Sequence, residues 1–186
     1  MIISITGKPC SGKGTISEEF CKNHKFEYVG VSAIFRNLAI EKGFSSLAEF
    51  FKKTNTTELD LAVDKKIEEL GIANRNRNMI IDSRTAWHFV PNSFKVYVDV
   101  DWEEAGRRLL NDNREGEKVT NLTQAKKQLK QRHKQDNERY KKLYNIDCTN
   151  LNNFDLVLDS TNKTPAELEK ELYTAYKLYK NKRTNT

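Results

Sequence analysis

Nine residues near the start of the chain, Gly7-Lys8-Pro9-Cys10-Ser11-Gly12-Lys13-Gly14-Thr15, have the types and spacing to bind phosphate. Gly7 and Gly12 let the backbone curl, and a curled backbone turns its N–H groups inward toward an anion. Lys13 adds an ammonium that can reach outer phosphates, and Thr15 a hydroxyl for Mg²⁺ or its water shell. The pattern departs from the general phosphate-loop spacing at one place: Gly14 follows the lysine, and the hydroxyl residue comes one position later. Such a turn works only between a strand and a helix. Ile2, Ile3 and Ile5 predict a buried strand before it. Thr15 to Lys22, with Ile16 and Phe20 four residues apart, predicts a helix after it. The helix N-terminus then brings roughly half a positive charge to the loop.

Four other stretches place charge where phosphates could use it. In Ser32-Ala-Ile-Phe-Arg36, Ser32 reads as an N-cap, and Arg36 lies one turn inside the helix with a planar fork suited to phosphate. A solvated helix arginine is the plainer reading. In Ile80-Ile81-Asp82-Ser83-Arg84, Asp82 ends a buried strand, where a carboxylate would hold Mg²⁺ or its waters, and Arg84 would face the same cleft. A turn-capping Asp covered by an Arg is the alternative. The helix from about Leu122 to Leu143 has one face reading Leu122, Ala125, Leu129, Arg132, Asp136, Arg139, Leu143, apolar at both ends and charged in the middle. Desolvating three charges is costly without partners, and a phosphorylated ligand would supply them. An intrahelical ladder facing solvent would explain the same residues at about 0.2–0.5 kcal/mol per pair. Before that helix, Arg108 is a candidate to stack on a base and Arg114 a candidate phosphate contact; each reads equally well as a surface residue. His88 and Cys10 take their plain readings, a surface or satisfied histidine and a small tolerated residue.

The elements that must hold these residues follow from periodicity. Phe26–Val29, Met79–Ile81, Phe94–Val100 and Leu156–Leu158 join the first run as short strands. Helices are expected over 33–42, from Ser46, over 57–70 with Gly71 past its end, over 102–113, and from Pro165 to Tyr179 with a frayed tail from Lys180. Strands alternating with helices imply an α/β fold with a five-stranded parallel sheet covered on both faces. Its ligands belong at the carboxyl ends of the strands. The 186 residues suit one domain. The net charge of +6 favours nucleotides or nucleic acids as partners. No apolar run reaches the roughly 20 residues that span a bilayer, so no membrane partner is expected. Cys10, Cys21 and Cys148 are odd in number and lack metal spacing, and read as free thiols of a reducing cytoplasm.

Together these segments resemble cytidylate kinases, within the nucleoside monophosphate kinases, and most closely their short archaeal and bacterial form. Gly7–Thr15 is similar to the donor ATP loop, and Ser32–Arg36 to the acceptor segment whose Ser and Arg contact the monophosphate. Arg132-x-x-x-Asp136-x-x-Arg139 is similar to the lid-side motif, and residues 138–147 with 155–161 to the closing segment. Where the family often shows Gly-Arg-Asp or Gly-Arg-Leu, this chain has Ser83-Arg84-Thr85. The resemblance implies a P-loop kinase three-layer sandwich over 1–186, with a monophosphate-binding cap at about 31–71 and a helical lid at about 111–143. It implies transfer of the γ-phosphoryl group of ATP to CMP or dCMP with Mg²⁺, by a cytoplasmic monomer without a stable nucleic-acid partner. Lys13, Arg84, Arg132 and Arg139 would stabilise the moving phosphoryl. Residues 7–15 with Arg108 and Arg114 would hold ATP. Ser32, Arg36, Asp82, Arg84 and Asp136 would hold the monophosphate nucleotide, with Asp60 and Asp64 reading its base, and Thr15 and Asp82 would hold the metal. Two other readings use the same residues: another nucleoside monophosphate or small-metabolite kinase of adenylate-kinase type, and a nucleotide-switched RNA-binding protein. The second lacks the aromatic-basic interleaving of RNA modules.

Overall fold

The isoleucine run at the start forms β1 (Ile2–Gly7), buried at every position. A strand buried on both faces has to lie inside a sheet, and β1 lies at its centre. The computed structural model describes residues 1–45, 49–50, 53–111 and 119–184, the side chains of Ser32, Thr56 and Thr184 excepted. In chain order the elements are β1, α1 (Lys13–His24), β2 (Glu27–Gly30), α2 (Val31–Glu41), α3 (Thr56–Ala73), β3 (Met79–Asp82), α4 (Ala86–Phe89), β4 (Phe94–Asp99), α5 (Trp102–Asn111), α6 (Leu122–Tyr144), a 3₁₀ turn (Leu151–Asn153), β5 (Leu156–Asp159) and α7 (Pro165–Thr184).

The five strands pair in parallel in the order β2-β3-β1-β4-β5. β1 is flanked by β3 through Ile5 opposite Asp82 and by β4 through Gly7 opposite Val98. The candidate loop and the candidate acid strand therefore end side by side. Alternate side chains go to opposite faces. Ile3 and Ile5 pack with Phe20, Leu168 and Leu172 beneath α1 and α7. Ile2, Met79 and Ile81 pack with Ile34, Phe50 and Ile67 on the α2–α3 side. Each such side chain contributes about 1.5–3 kcal/mol over its exposed state. A smaller cluster of Val100, Ala105, Leu109, Ala125 and Leu129 holds α6 against α5. There a methyl group at Gly106 would sit 2.8 Å from Leu122 Cδ1, so the α6 side chains would have to shift to admit it.

Three expectations change in the structure, and a fourth lies outside the described residues. α2 opens one residue before Ser32; Gly30, extended at φ −95° and ψ 152°, is its N-cap and has no side chain to offer. Gly71 does not end α3, which runs on to Ala73. A Cβ at Gly71 would lie 2.8 Å from Val90, so glycine serves close packing there, not termination. The tail from Lys180 is helical to Thr184. Tyr179 and Arg183 hold it down by donating to the carbonyl oxygens of Ser93 and Asn92 at 3.2 and 2.8 Å. The helix expected from Ser46 rests on residues 46–48 and 51–52, which lie outside the described residues, although Phe50 is fully buried.

Candidate active site

The loop between β1 and α1 is shaped by backbone conformations that its glycines permit. Gly7 has φ 153°, and a Cβ on it would stand 2.1 Å from the Val98 carbonyl oxygen. No other residue fits that approach of β1 to β4. The next amide, that of Lys8, donates to the same carbonyl at 3.1 Å. Cys10 and Gly12 are both left-handed, at φ 59° and 82°. These turns, followed by the start of α1, form a concave run of N–H groups. The first turn of the helix leaves its amides without intrahelical partners. Lys8 braces the loop from outside: its ammonium pairs with Asp99 at 2.7 Å, donates to the Val100 carbonyl at 3.1 Å and lies 4.8 Å from the Trp102 ring centre.

From this loop opens a cleft of about 830 Å³. The loop contributes Lys13, and the end of β3 contributes Asp82 and Arg84. α2 contributes Phe35 and Arg36, and α3 Asp60 and Asp64. Arg132, Asp136 and Arg139 enter from α6. The charged middle of α6 thus faces the cleft. Arg84 pairs with Asp136 at 2.7 Å. Arg139 pairs with Asp136 at 3.1 Å and, across the cleft, with Asp60 at 2.7 Å. The Asp136–Arg139 contact is intrahelical; the other two join α6 to the turn after β3 and to α3.

Burial sets the proton affinities. It pushes the Lys13 ammonium pKa down, and Arg84 and Arg132 add to that, while Asp82 and Cys10 pull the other way. An ammonium so placed gains most from an added anion. Burial also raises the Asp60 and Asp64 carboxyls, partly offset by Arg139 at Asp60 and by Thr85 and Tyr144 at Asp64. Arg139 is firmly charged: burial works against its charge, but Tyr140, Asp60 and Asp136 together outweigh it. Burial lifts the Tyr140 phenol to about 12, so it stays a hydrogen-bond donor.

The expected site residues divide as follows. Lys13, Arg36, Asp60, Asp64, Asp82, Arg84, Arg132, Asp136 and Arg139 share the one cleft. Thr15 stands exposed on the first turn of α1. Asp64 is engaged on both oxygens, by the Thr85 hydroxyl at 2.5 Å and the Tyr144 hydroxyl at 2.6 Å. It ties α3 to α6, and Asp60 does the same through the Tyr140 hydroxyl at 3.4 Å and Arg139 at 2.7 Å. Four of the five N–H donors of Arg108 go to the carbonyls of Cys10 and Ser160, the Ser160 hydroxyl and Glu104, which leaves its flat face open to a base. Arg114 and the side chain of Ser32 lie outside the described residues.

Sequence reading missed the tyrosines. Tyr28, on edge strand β2, donates to Asp82 at 3.1 Å and lines the cleft. No local pattern marks it. Tyr140 and Tyr144 were within reach, since steps of four from Asp136 along α6 land on both. Among the described residues no three His, Cys, Asp or Glu side chains gather to hold a metal. Thr15, on the first turn of α1, offers a hydroxyl, and Asp82, which lines the cleft, a carboxylate, both oxygen donors. That set fits Mg²⁺, which keeps several waters and arrives with phosphates.

A family described as an AAA domain matches residues 3–152. A cytidylate kinase of Sulfurisphaera tokodaii is 32% identical over 97% of this chain and 99% of its own length. One of Methanosarcina barkeri is 32% identical over 86% of this chain and 87% of its own. An S-adenosylmethionine-dependent nucleotide dehydratase of Lacinutrix mariniflava is 32% identical over 89% of this chain, which spans only 34% of that protein. Among solved structures, a shikimate kinase of Bacteroides thetaiotaomicron superposes with TM-score 0.65 at 14% identity, covering 97% of this chain and 98% of that one. That likeness bears on the fold alone.

Proposed function

The chain belongs to the cytidylate kinase family, and from that premise we propose that it transfers the γ-phosphoryl group of ATP to CMP or dCMP, releasing ADP and CDP or dCDP. One observation carries the reading: a loop lysine and arginines from three other elements line the same cleft. Phosphoryl transfer asks little covalent chemistry of a protein. It asks that two anionic substrates be held in line and that the spreading charge be neutralised.

The roles follow from position. The curled backbone of 7–15 takes the donor phosphates, and Lys13 regains a full charge partner when they bind. Arg36, with Ser32 beside it, takes the phosphate of the acceptor nucleotide. Arg84, Arg132 and Arg139 surround the phosphoryl group in flight. Arg84 and Arg139 are held by Asp136 and Asp60, which orient the guanidinium groups along the cleft. Asp136 lies beside the cytidine, and Asp60 accepts from the exocyclic amine of the base, with Asp64 fixing the helix that carries it. Mg²⁺, when bound, screens the donor phosphates; Thr15 and Asp82 would hold it, in part through water, and Tyr28 steadies Asp82.

The segments at about 31–71 and 111–143 act as cap and lid, and closure over the substrates keeps water from the donor. The protein works as a cytoplasmic monomer. Cys10, Cys21 and Cys148 form no disulfide, as a reducing compartment would keep them, and no helix among the described residues is long and apolar enough to cross a membrane. The test is ADP release with CMP, dCMP, UMP and AMP as acceptors. CMP or dCMP is expected to give the highest kcat/KM. A tenfold advantage for AMP would overturn the base assignment, and turnover with none of them would overturn the kinase reading.

A further inference from the structure

We propose that Arg108 is a positioning residue for the donor phosphates, acting through the loop backbone. The inference rests on the donor-site reading above. The guanidinium of Arg108, on α5, makes four contacts. Nη1 donates to the Cys10 carbonyl and to Ser160 Oγ, both at 3.2 Å. Nη2 donates to the Ser160 carbonyl at 2.6 Å, and Nε to Glu104 at 3.0 Å.

Two of these contacts go to one fixed residue, and a third goes to a residue under strain. Ser160 is buried, and both its amide and its hydroxyl donate to the Asp99 carbonyl at 2.9 Å, so it is fixed to the ends of β4 and β5. Cys10 sits at φ 59°, a conformation that residues with a β-carbon resist. Arg108 therefore reaches from a fixed sheet edge to the one non-glycine residue of the loop held left-handed, and grips its carbonyl. A carbonyl oxygen facing phosphate would repel it. With the Cys10 oxygen turned outward onto a cation, the concave side of the loop presents N–H groups. The guanidinium stands close behind that side, 3.9 Å from where a Gly12 Cβ would be. The grip needs a planar fork that spans two backbone oxygens, which a lysine ammonium cannot reproduce.

Calorimetric titration distinguishes this role from stacking on a base. The ligands are Mg²⁺-tripolyphosphate, which has neither base nor sugar, MgATP, and CMP. The proteins are the wild type, Arg108→Ala and Arg108→Lys. Arg108→Ala is expected to weaken tripolyphosphate and ATP by the same factor, about tenfold, or about 1.4 kcal/mol. CMP affinity stays within about twofold. Arg108→Lys keeps the charge and loses the fork, and is expected to remain at least about threefold weaker than wild type for both donor ligands. Unchanged tripolyphosphate affinity in Arg108→Ala, with ATP weakened, would make Arg108 a base contact and overturn the proposal. Full recovery by lysine would reduce it to a long-range charge and overturn it equally. If Arg108→Ala loses CMP binding as well, its fold is damaged and Arg108→Lys decides on the same criterion. A wild type that binds CMP but neither donor ligand would remove the donor-site reading itself, an outcome distinct from a variant that behaves like wild type.

Discussion

Replacing Arg139 with alanine should separate what the cleft does for folding from what it does for catalysis. Arg139 is the partner of Asp60 at 2.7 Å and of Asp136 at 3.1 Å. The side chains of those carboxylates are 11% and 13% exposed, whereas that of Arg139 is 32% exposed. Removing one member of a well-buried pair costs about 3–5 kcal/mol, because the remaining charge has lost both water and partner. Asp136 keeps Arg84, and the arginine itself is partly solvated, so the cost here should be about 2 kcal/mol. In a chain of this length that lowers Tm by about 4–8 °C. Activity should fall further than stability: kcat at saturating ATP and CMP drops by at least about 10², because a guanidinium facing the moving phosphoryl is lost. The double variant Arg139→Ala with Asp60→Asn removes the stranded charge. It should regain most of the lost Tm and none of the lost kcat. Acid provides a second check. Burial already raises the Asp60 carboxyl, and without Arg139 it rises further. The folded chain then holds a proton that the unfolded chain has released. The stability deficit of Arg139→Ala therefore shrinks as pH falls from 7 toward 5. Urea melts at several pH values and coupled ADP-release rates measure both parts. An Arg139→Ala protein with kcat within threefold of wild type, or with wild-type Tm across that range, would refute the reasoning.

Two further variants probe the scaffold. Gly7→Ala puts a methyl group 2.1 Å from the Val98 oxygen at φ 153°, so the loop or β4 must move; a loss of about 2–4 kcal/mol is expected together with weaker ATP binding, and a variant with unchanged Tm and ATP affinity would show that the contact is easily relieved. His133 packs edge-on to Trp102, and burial, with Arg84 and Lys8 adding to it against Asp136 and Asp99, lowers its pKa below 6.5. The unfolded chain takes up that proton first as pH falls, so the wild type is at full strength above pH about 6.5 and loses stability below it. His133→Gln should flatten the fall in Tm between pH 7 and 5, whereas His88, shifted the same way, remains in both proteins; parallel Tm curves would exclude His133 as the source.

Patterns read over a few neighbours were legible without the fold. The strand, glycine turn and helix at 2–24, the alternation that makes a parallel sheet, and the charged middle of α6 all rest on periods of two or four residues. Local chemistry decides those, because backbone dihedrals and side-chain facing repeat within a turn. Gly71 misled for the same reason: after an apolar stripe a glycine reads as a stop, and only the approach of Val90 explains it.

Partner choice was not legible. Tyr28 meets Asp82 across 54 residues, Tyr144 meets Asp64 across 80, and Arg108 meets Cys10 across 98. Each is one of many acid, hydroxyl or carbonyl groups that the side chain could have found. By itself the sequence determined a parallel sheet with a glycine turn after its first strand, and the acids and arginines that could stand at its carboxyl ends, since these rest on local periodicity. Which guanidinium grips a carboxylate, which faces the cleft and which props up the loop was decided by strand order and helix packing. Electrostatic energy depends on distance in space, and chain spacing bounds that distance only over a few residues.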